Sequence, residues 1–319
     1  MVTRLVAARS DMEVVAINDL ASVDMACHLL KYDSVHGHFA GSCDVLNEET
    51  LLVNGNPVAY SKQSDPQKVD FVRQGANVVF ECTGLFLTQK EVEHHLQKGV
   101  EHVIISAVAK DDTQTYVLGV NADEYKGERI ISNGSCTTNC LAPIAKVIDE
   151  RFGIQKGLMT TIHSYTNGQN LLDSKHPSDF RRARAAAENI IPTTTHAAEG
   201  IYRVLPSLKG KLHGQSVRVP VPDVSMMDLT LVLERNSDVQ TLNDVLAKAS
   251  QNELNGIISV DYEKRVSSDF LGSPYSSIVA ADLTQVIGDN MVKIMAWYDN
   301  ECGYSNRLIE MAKHINQNR

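Results

Sequence analysis

No apolar run in these 319 residues reaches the length of a membrane span, and the N-terminus carries no signal-peptide core. Those two absences argue against a membrane protein and against an exported one. Cysteine is sparse. Six scattered thiols do not form a disulfide framework, so a reducing cytoplasm is the expected setting. Positive charge is in deficit, and a net charge of −9 argues against a surface built for nucleic acid or anionic membrane. There is no internal repeat and no low-complexity segment. What remains is ordinary globular composition, 43% hydrophobic and 22% charged, in a chain long enough for two domains.

Organisation changes along the chain. Short apolar runs at 12–17, 76–81 and 102–106 alternate with helical patterns, among them 88–98, which predicts a parallel α/β sheet. Beyond Cys136 the strand-like segments 216–221, 227–233, 257–261 and 291–298 follow with few helices between them, as in an α+β domain with a mostly antiparallel sheet. Residues 167–189 are polar, basic and without periodicity, and a loop of that length inside a compact domain is usually functional. The segment 304–316 is again helix-like.

The most informative stretch is Ser132-Asn133-Gly134-Ser135-Cys136-Thr137-Thr138-Asn139. It joins an apolar run ending at Ile131 to an amphipathic stretch from Leu141 to Phe152, which reads as strand, turn, helix with the sulfur in the first helical turn. Unpaired backbone N–H groups and the helix dipole favour a thiolate there. His163 ends another strand-like run, and a distant Cys and His can meet in the fold as nucleophile and base. Cys140 lies four positions after Cys136, but no second Cys/His pair at zinc spacing accompanies them, so no metal site is expected. By spacing alone, a buried inert cysteine stays as open a reading as a catalytic one.

The wider sequence weighs on that choice. S-N-G-S-C-T-T-N-C-L-A-P resembles the nucleophile segment of phosphorylating glyceraldehyde-3-phosphate dehydrogenases, with Gly134 where Ala is usual. T-T-I-H-S-Y-T-N at 160–167, R-R-A-R-A-A-A at 181–187, I-I-P-T-T-T at 190–195, V-R-V-P-V-P at 217–222, V-S-S-D at 266–269 and W-Y-D-N-E-C-G-Y-S-N-R at 297–307 continue the likeness in order. The resemblance implies a Rossmann-type parallel-sheet NAD domain, residues 1–135 and 303–319, and an α+β catalytic domain, residues 136–302.

It implies a chemistry as well. Cys136 would attack an aldehyde and His163 would activate the thiol and assist proton removal, with inorganic phosphate cleaving the resulting thioester. Loss of His163 would slow such an enzyme and loss of Cys136 would stop it. Thr166 and Arg218 match the substrate-phosphate ligands, while Ser135, Thr137 and Thr195 match the pocket of the attacking ion, with Arg182 close by. Arginine suits phosphate because its planar donors engage two oxygens at once. Asn18, Asp19, Thr83, Gly84, Ser106 and Asn300 match cofactor positions, and Tyr304 would pack near the nicotinamide ring. An acidic residue closing the second strand, Asp19, favours NAD over NADP. Departures from the family pattern include His196 after the threonine run, where it could donate near the phosphate or simply fill space, Gly168, Glu199 and Cys302.

One motif is missing. The chain has no G-x-G-x-x-G, and Met1 to Val6 resembles the middle of the family's first helix, so about a dozen residues of strand and glycine loop are expected to be absent. An incomplete cofactor site and exposed strand edges are then expected, through a mis-assigned start or a clipped chain. The leading reading is NAD-dependent phosphorylating oxidation of glyceraldehyde 3-phosphate by a cytoplasmic homotetramer, with no nucleic-acid or membrane partner. The alternatives are oxidation of erythrose 4-phosphate and an inactive paralogue acting as an assembly partner.

Overall fold

The computed structural model describes residues 1–195 and 197–318, which divide into two compact units. The first unit comprises residues 1–115, 125–133 and 308–319, and the second 116–124 and 134–307.

In the first unit, helix α1 (Val2–Ala7) precedes strand β1 (Ala16–Asn18) and helix α2 (Val23–Lys31), the latter capped by the Ser22 hydroxyl on the amide of Met25. Strands β2 (Cys43–Asn47), β3 (Thr50–Val53) and β4 (Asn56–Ser61) form a meander, with β1 added parallel to β4. The β3–β4 turn is Asn54-Gly55, with φ of 52° and 80°, the left-handed pair a tight hairpin requires. A second ladder is wholly parallel: β5 (Val78–Glu81), β6 (His102–Ile105) and β7 (Ile130–Ser132) in that order. All four residues of β6 are buried, as a strand covered on both faces should be. The helical pattern of 88–98 resolves into two short helices, α3 (Gln89–Val92) and α4 (His94–Gln97), the first held by a capping box between Thr88 and Glu91.

The second unit is built on one large, mostly antiparallel sheet. Its strands are β8 (Ile154–Ser164), β9 (Ile191–Thr193), β10 (Leu212–Val219), β11 (Ser225–Leu233), β12 (Ile258–Asp261), β13 (Ser277–Ala280), β14 (Gln285–Ile287) and β15 (Met291–Tyr298). The order is β9-β10-β8-β11-β15-β13-β12, with β14 also on β15. Strict alternation in β11 turns Met227, Leu229, Leu231 and Leu233 inward, and Val292, Ile294, Ala296 and Tyr298 do the same from β15. Against that apolar face lies helix α5 (Cys136–Phe152), most of it buried, together with α6 (Ala197–Val204) and α7 (Val239–Gln251). Helix α8 (Cys302–Gln317) follows β15. Residues 167–189 form turns and bends without helix or strand.

Candidate active site

Ser135 sets the geometry of the nucleophile. Its extended backbone stops the chain before α5, and its hydroxyl accepts from the amide of Thr138 at 3.0 Å. Cys136 is therefore the first residue of the helix, where the backbone N–H groups have no helical partner. β8 delivers His163 near its end, buried, with Nε2 3.6 Å from the Cys136 sulfur. The parallel pairing of β8 with β10 then places Arg218 directly beside His163.

Arg218 uses that position fully. One of its guanidinium nitrogens is 2.7 Å from Nδ1 of His163 and 2.9 Å from the carbonyl of Ser164. Nδ1 also lies 2.8 Å from the Ser164 carbonyl, which only accepts, whereas a guanidinium only donates, so the two contacts call for opposite tautomers of the ring. Burial and the Arg218 charge together push the His163 pKa down to about 3. Cys136 keeps part of its surface open but is closely packed, and burial raises its pKa. Arg218, the Thr137 hydroxyl and the amides of Cys136 and Thr137 oppose that rise. The helix terminus thus favours a thiolate, and burial outweighs it in the free site.

Behind the nucleophile runs a chain of hydroxyls. Tyr298 is fully buried, with its OH 3.0 Å from Thr137 Oγ1 and 2.6 Å from Thr161 Oγ1. Its ring meets that of His163 edge to face at 5.9 Å. Neither Tyr298 nor Thr161 was singled out by sequence reasoning; the signal was their inward register on β15 and β8.

The remaining anion-site candidates are placed as follows. The Arg182 side chain donates to Thr193 Oγ1 at 2.7 Å and lies near enough to Arg218 for the two charges to repel. Arg182 also lies 3.7 Å from Asp179 Oδ2, which offsets part of its charge. Thr166 is exposed just past β8, and Thr195 Oγ1 accepts from the amide of Ala197 at 3.2 Å, ahead of α6. Thr137 is turned towards Tyr298 and the sulfur rather than towards solvent. His196 lies outside the described residues.

Cofactor candidates divide between the units. In the first, Asn18 and Asp19 end β1, Thr83 and Gly84 follow β5, and Ser106 follows β6, all at the carboxyl ends of parallel strands, where open α/β sheets bind ligands. The Asn18 amide ties β1 to β4 and the chain beyond, bonding Ser61 Oγ and the backbone of Gln63. Asp19 is exposed and spends one carboxylate oxygen on the amide of Ala21, leaving the other as an acceptor for ribose hydroxyls. Gly84 has φ +69° and open space where a Cβ would stand, so backbone can approach a ligand closely there. In the second unit, Asn300 is 8% exposed and its amide NH2 makes no hydrogen bond among the described residues, while its carbonyl oxygen takes two. Tyr304 donates to the carbonyl of Gly134 at 2.8 Å. Within the first unit the acceptor after β1 suits a ribose hydroxyl, and within the second the unspent Asn300 amide suits a carboxamide oxygen.

The first unit carries a parallel ladder beside a mixed sheet and the second pairs a cysteine with a histidine at a helix head, an arrangement that fits the two-domain oxidoreductases. Comparison with known proteins narrows it. Residues 1–89 match the family model described as glyceraldehyde 3-phosphate dehydrogenase, NAD binding domain, and residues 135–300 match its C-terminal domain. The chain is 50% identical over 307 residues to glyceraldehyde-3-phosphate dehydrogenase of Geobacillus stearothermophilus, covering 96% of this chain and 91% of the relative. To the protein of the same name from Priestia megaterium it is 48% identical over 316 residues, 98% and 94% of the two chains. To glyceraldehyde-3-phosphate dehydrogenase A of Escherichia coli K12 it is 42% identical over 317 residues, 99% and 96%. The chain belongs to the glyceraldehyde-3-phosphate dehydrogenase family, and NAD is its cofactor.

Proposed function

We propose that this enzyme oxidises glyceraldehyde 3-phosphate to 1,3-bisphosphoglycerate, with Cys136 carrying the acyl group as a thioester and inorganic phosphate taking it off. The observation that carries this reading is the Cys136 sulfur 3.6 Å from Nε2 of a histidine that Arg218 also touches, with Arg182 beside that arginine. A nucleophile, a base and paired cations are what an aldehyde bearing phosphate and a phosphate acceptor both need.

The steps assign themselves to atoms. With Arg218 engaged by the substrate's phosphate and the ring proton on Nδ1 facing the Ser164 carbonyl, Nε2 of His163 accepts the Cys136 thiol proton as the sulfur attacks the aldehyde carbon. The oxygen of the resulting hemithioacetal is stabilised by the amide of Cys136 at the head of α5. Nε2 returns that proton to the hemithioacetal oxygen and accepts it again from the hydroxyl as the carbon gives up its hydride. NAD, when bound, would supply the acceptor for the hydride. Phosphate, held by Ser135, Thr195 and Arg182, attacks the thioester carbonyl, and the thiolate leaves with the electron pair of the C–S bond. Thr166 and Arg218 hold the substrate's own phosphate.

The apolar side chains of Leu171, Leu172, Phe180 and Ile190 are 80%, 75%, 96% and 71% exposed on or beside the long loop. Four exposed apolar side chains along one stretch support a subunit interface, in keeping with a homotetramer. No helix among the described residues is long and apolar enough to cross a membrane. Six free thiols support a cytoplasmic setting. NADH formation from glyceraldehyde 3-phosphate, with and without inorganic phosphate, tests the reading. Phosphate-dependent turnover supports it; turnover that ignores phosphate and prefers erythrose 4-phosphate moves the assignment to that substrate.

A further inference from the structure

Three buried polar side chains meet at one end of the second unit's sheet. Ser164 closes β8, Ser225 opens β11, and Asn300 lies two residues beyond β15. Ser164 and Ser225 are wholly buried. Ser164 Oγ donates to Asn300 Oδ1 at 2.8 Å and Ser225 Oγ donates to the same oxygen at 2.7 Å. Ser225 Oγ also accepts from the amide of Ser164 at 3.1 Å, which locks the two strand ends together. Val224, just before Ser225, holds φ at +66°, a conformation a β-branched residue adopts only where its surroundings force it. The chain bends there and delivers the Ser225 hydroxyl to its partner.

An asparagine amide has two faces of similar shape and opposite chemistry, and packing alone does not choose between them. Here two hydroxyl protons choose. Each serine has one proton to give, and both go to Oδ1. Turning the amide over would leave both protons without that acceptor in a buried site, at a cost larger than the hydrogen bonds themselves contribute. The NH2 group is thereby held pointing the other way, and it makes no hydrogen bond among the described residues.

We propose that Ser164 and Ser225 are positioning residues that fix the Asn300 amide with its NH2 group towards the nicotinamide carboxamide, so that the site reads the carboxamide's carbonyl oxygen and is indifferent to its amine. This rests on the reading of Asn300 as the carboxamide contact. The consequence is a selectivity that a merely structural pair of serines would not produce. A dinucleotide whose carboxamide is replaced by a methyl ketone keeps the oxygen Asn300 needs and binds like NAD. Without the serine protons the amide turns freely, offers Oδ1 to the carboxamide amine, and the ketone falls behind.

The test is calorimetric binding of NAD and of 3-acetylpyridine adenine dinucleotide to the intact enzyme, to Asn300→Ala, and to the Ser164→Ala, Ser225→Ala and double variants. The wild type is expected to bind both within about twofold, and Asn300→Ala to weaken both together by about 3–10-fold, the worth of one hydrogen bond. The double serine variant is expected to bind the ketone about 3–10-fold more weakly than NAD, again one hydrogen bond. Each single variant, with one proton left, reads an intermediate ratio and carries the test if the double variant does not fold. An unchanged ratio in the serine variants, with Asn300→Ala still weakened, overturns the positioning role and leaves the Asn300 contact standing. Unaltered binding in Asn300→Ala removes that contact, and the proposal with it.

Discussion

Arg218 and His163 are neighbours by strand register and by hydrogen bond: paired across β10 and β8, with the guanidinium 2.7 Å from Nδ1 of the imidazole. Burial first, and then the Arg218 charge, hold His163 neutral well below its usual range. The contact also presents Arg218 near the sulfur, whose thiolate it stabilises.

Replacing Arg218 with glutamine therefore has two separable effects. The KM for glyceraldehyde 3-phosphate rises by about 10–100-fold, the worth of a charged hydrogen bond, while that for unphosphorylated glyceraldehyde hardly moves. Alkylation of Cys136 by iodoacetamide at pH 8 slows, because burial of the thiol is left less opposed. Equal losses on both aldehydes contradict this account.

Tyr298→Phe removes one OH and strands Thr137 Oγ1 and Thr161 Oγ1, both in buried residues. Stability falls by about 1–3 kcal/mol, read from urea midpoints. The Cys136 alkylation profile moves to higher pH, because Thr137 is held less firmly against the sulfur. A profile that stays in place while stability falls makes Tyr298 a packing residue alone.

Gly200→Ala sets a gain against a clash. Alanine favours helix over glycine by about 0.5–1 kcal/mol. At this position, though, the new Cβ would stand 2.5 Å from Thr138 Oγ1 and 3.2 Å from its Cγ2. Thr138 is buried and its hydroxyl lies 2.9 Å from Ser135 Oγ, so it has little room to give. Overpacking costs about 1–3 kcal/mol, so the clash wins. Thermal unfolding is expected to show net destabilisation, with activity falling as the cap of α5 shifts.

Asp223 gives the fold a pH dependence opposite in sign to that of an ion-paired carboxylate. Burial and the nearby Asp299 raise its pKa to about 8. The folded chain then keeps a proton that the unfolded chain has already lost, so stability declines as pH rises from the ordinary carboxylate range through about 8. Asp223→Asn flattens that decline, and urea midpoints at pH 6 and pH 9 check it. Parallel falls in both proteins contradict the assignment.

The head of α5 was readable because its signals are local: a serine cap, a cysteine one residue on, an apolar run behind. The strands 227–233 and 291–298 were readable for the same reason, through alternation. The meander of β2 to β4 was passed over although Asn54-Gly55 marks its turn, because strands this short carry little periodicity. Residues 88–98 look like one helix and form two, a break that helical pattern alone does not mark. The Ser164–Ser225–Asn300 cluster was invisible as a cluster, since strand pairing alone brings those positions together. Asn300 could be singled out only through its motif, and the serines not at all.

The central claim is a covalent one, that the acyl group rides on Cys136. The direct measurement is mass spectrometry of the enzyme acid-quenched after mixing with glyceraldehyde 3-phosphate and NAD in the absence of inorganic phosphate. An adduct of phosphoglyceroyl mass on the peptide holding Cys136, lost when phosphate is added before the quench, is the predicted result. No adduct during turnover, or one that sits on Cys140 and persists in Cys136→Ser, contradicts it.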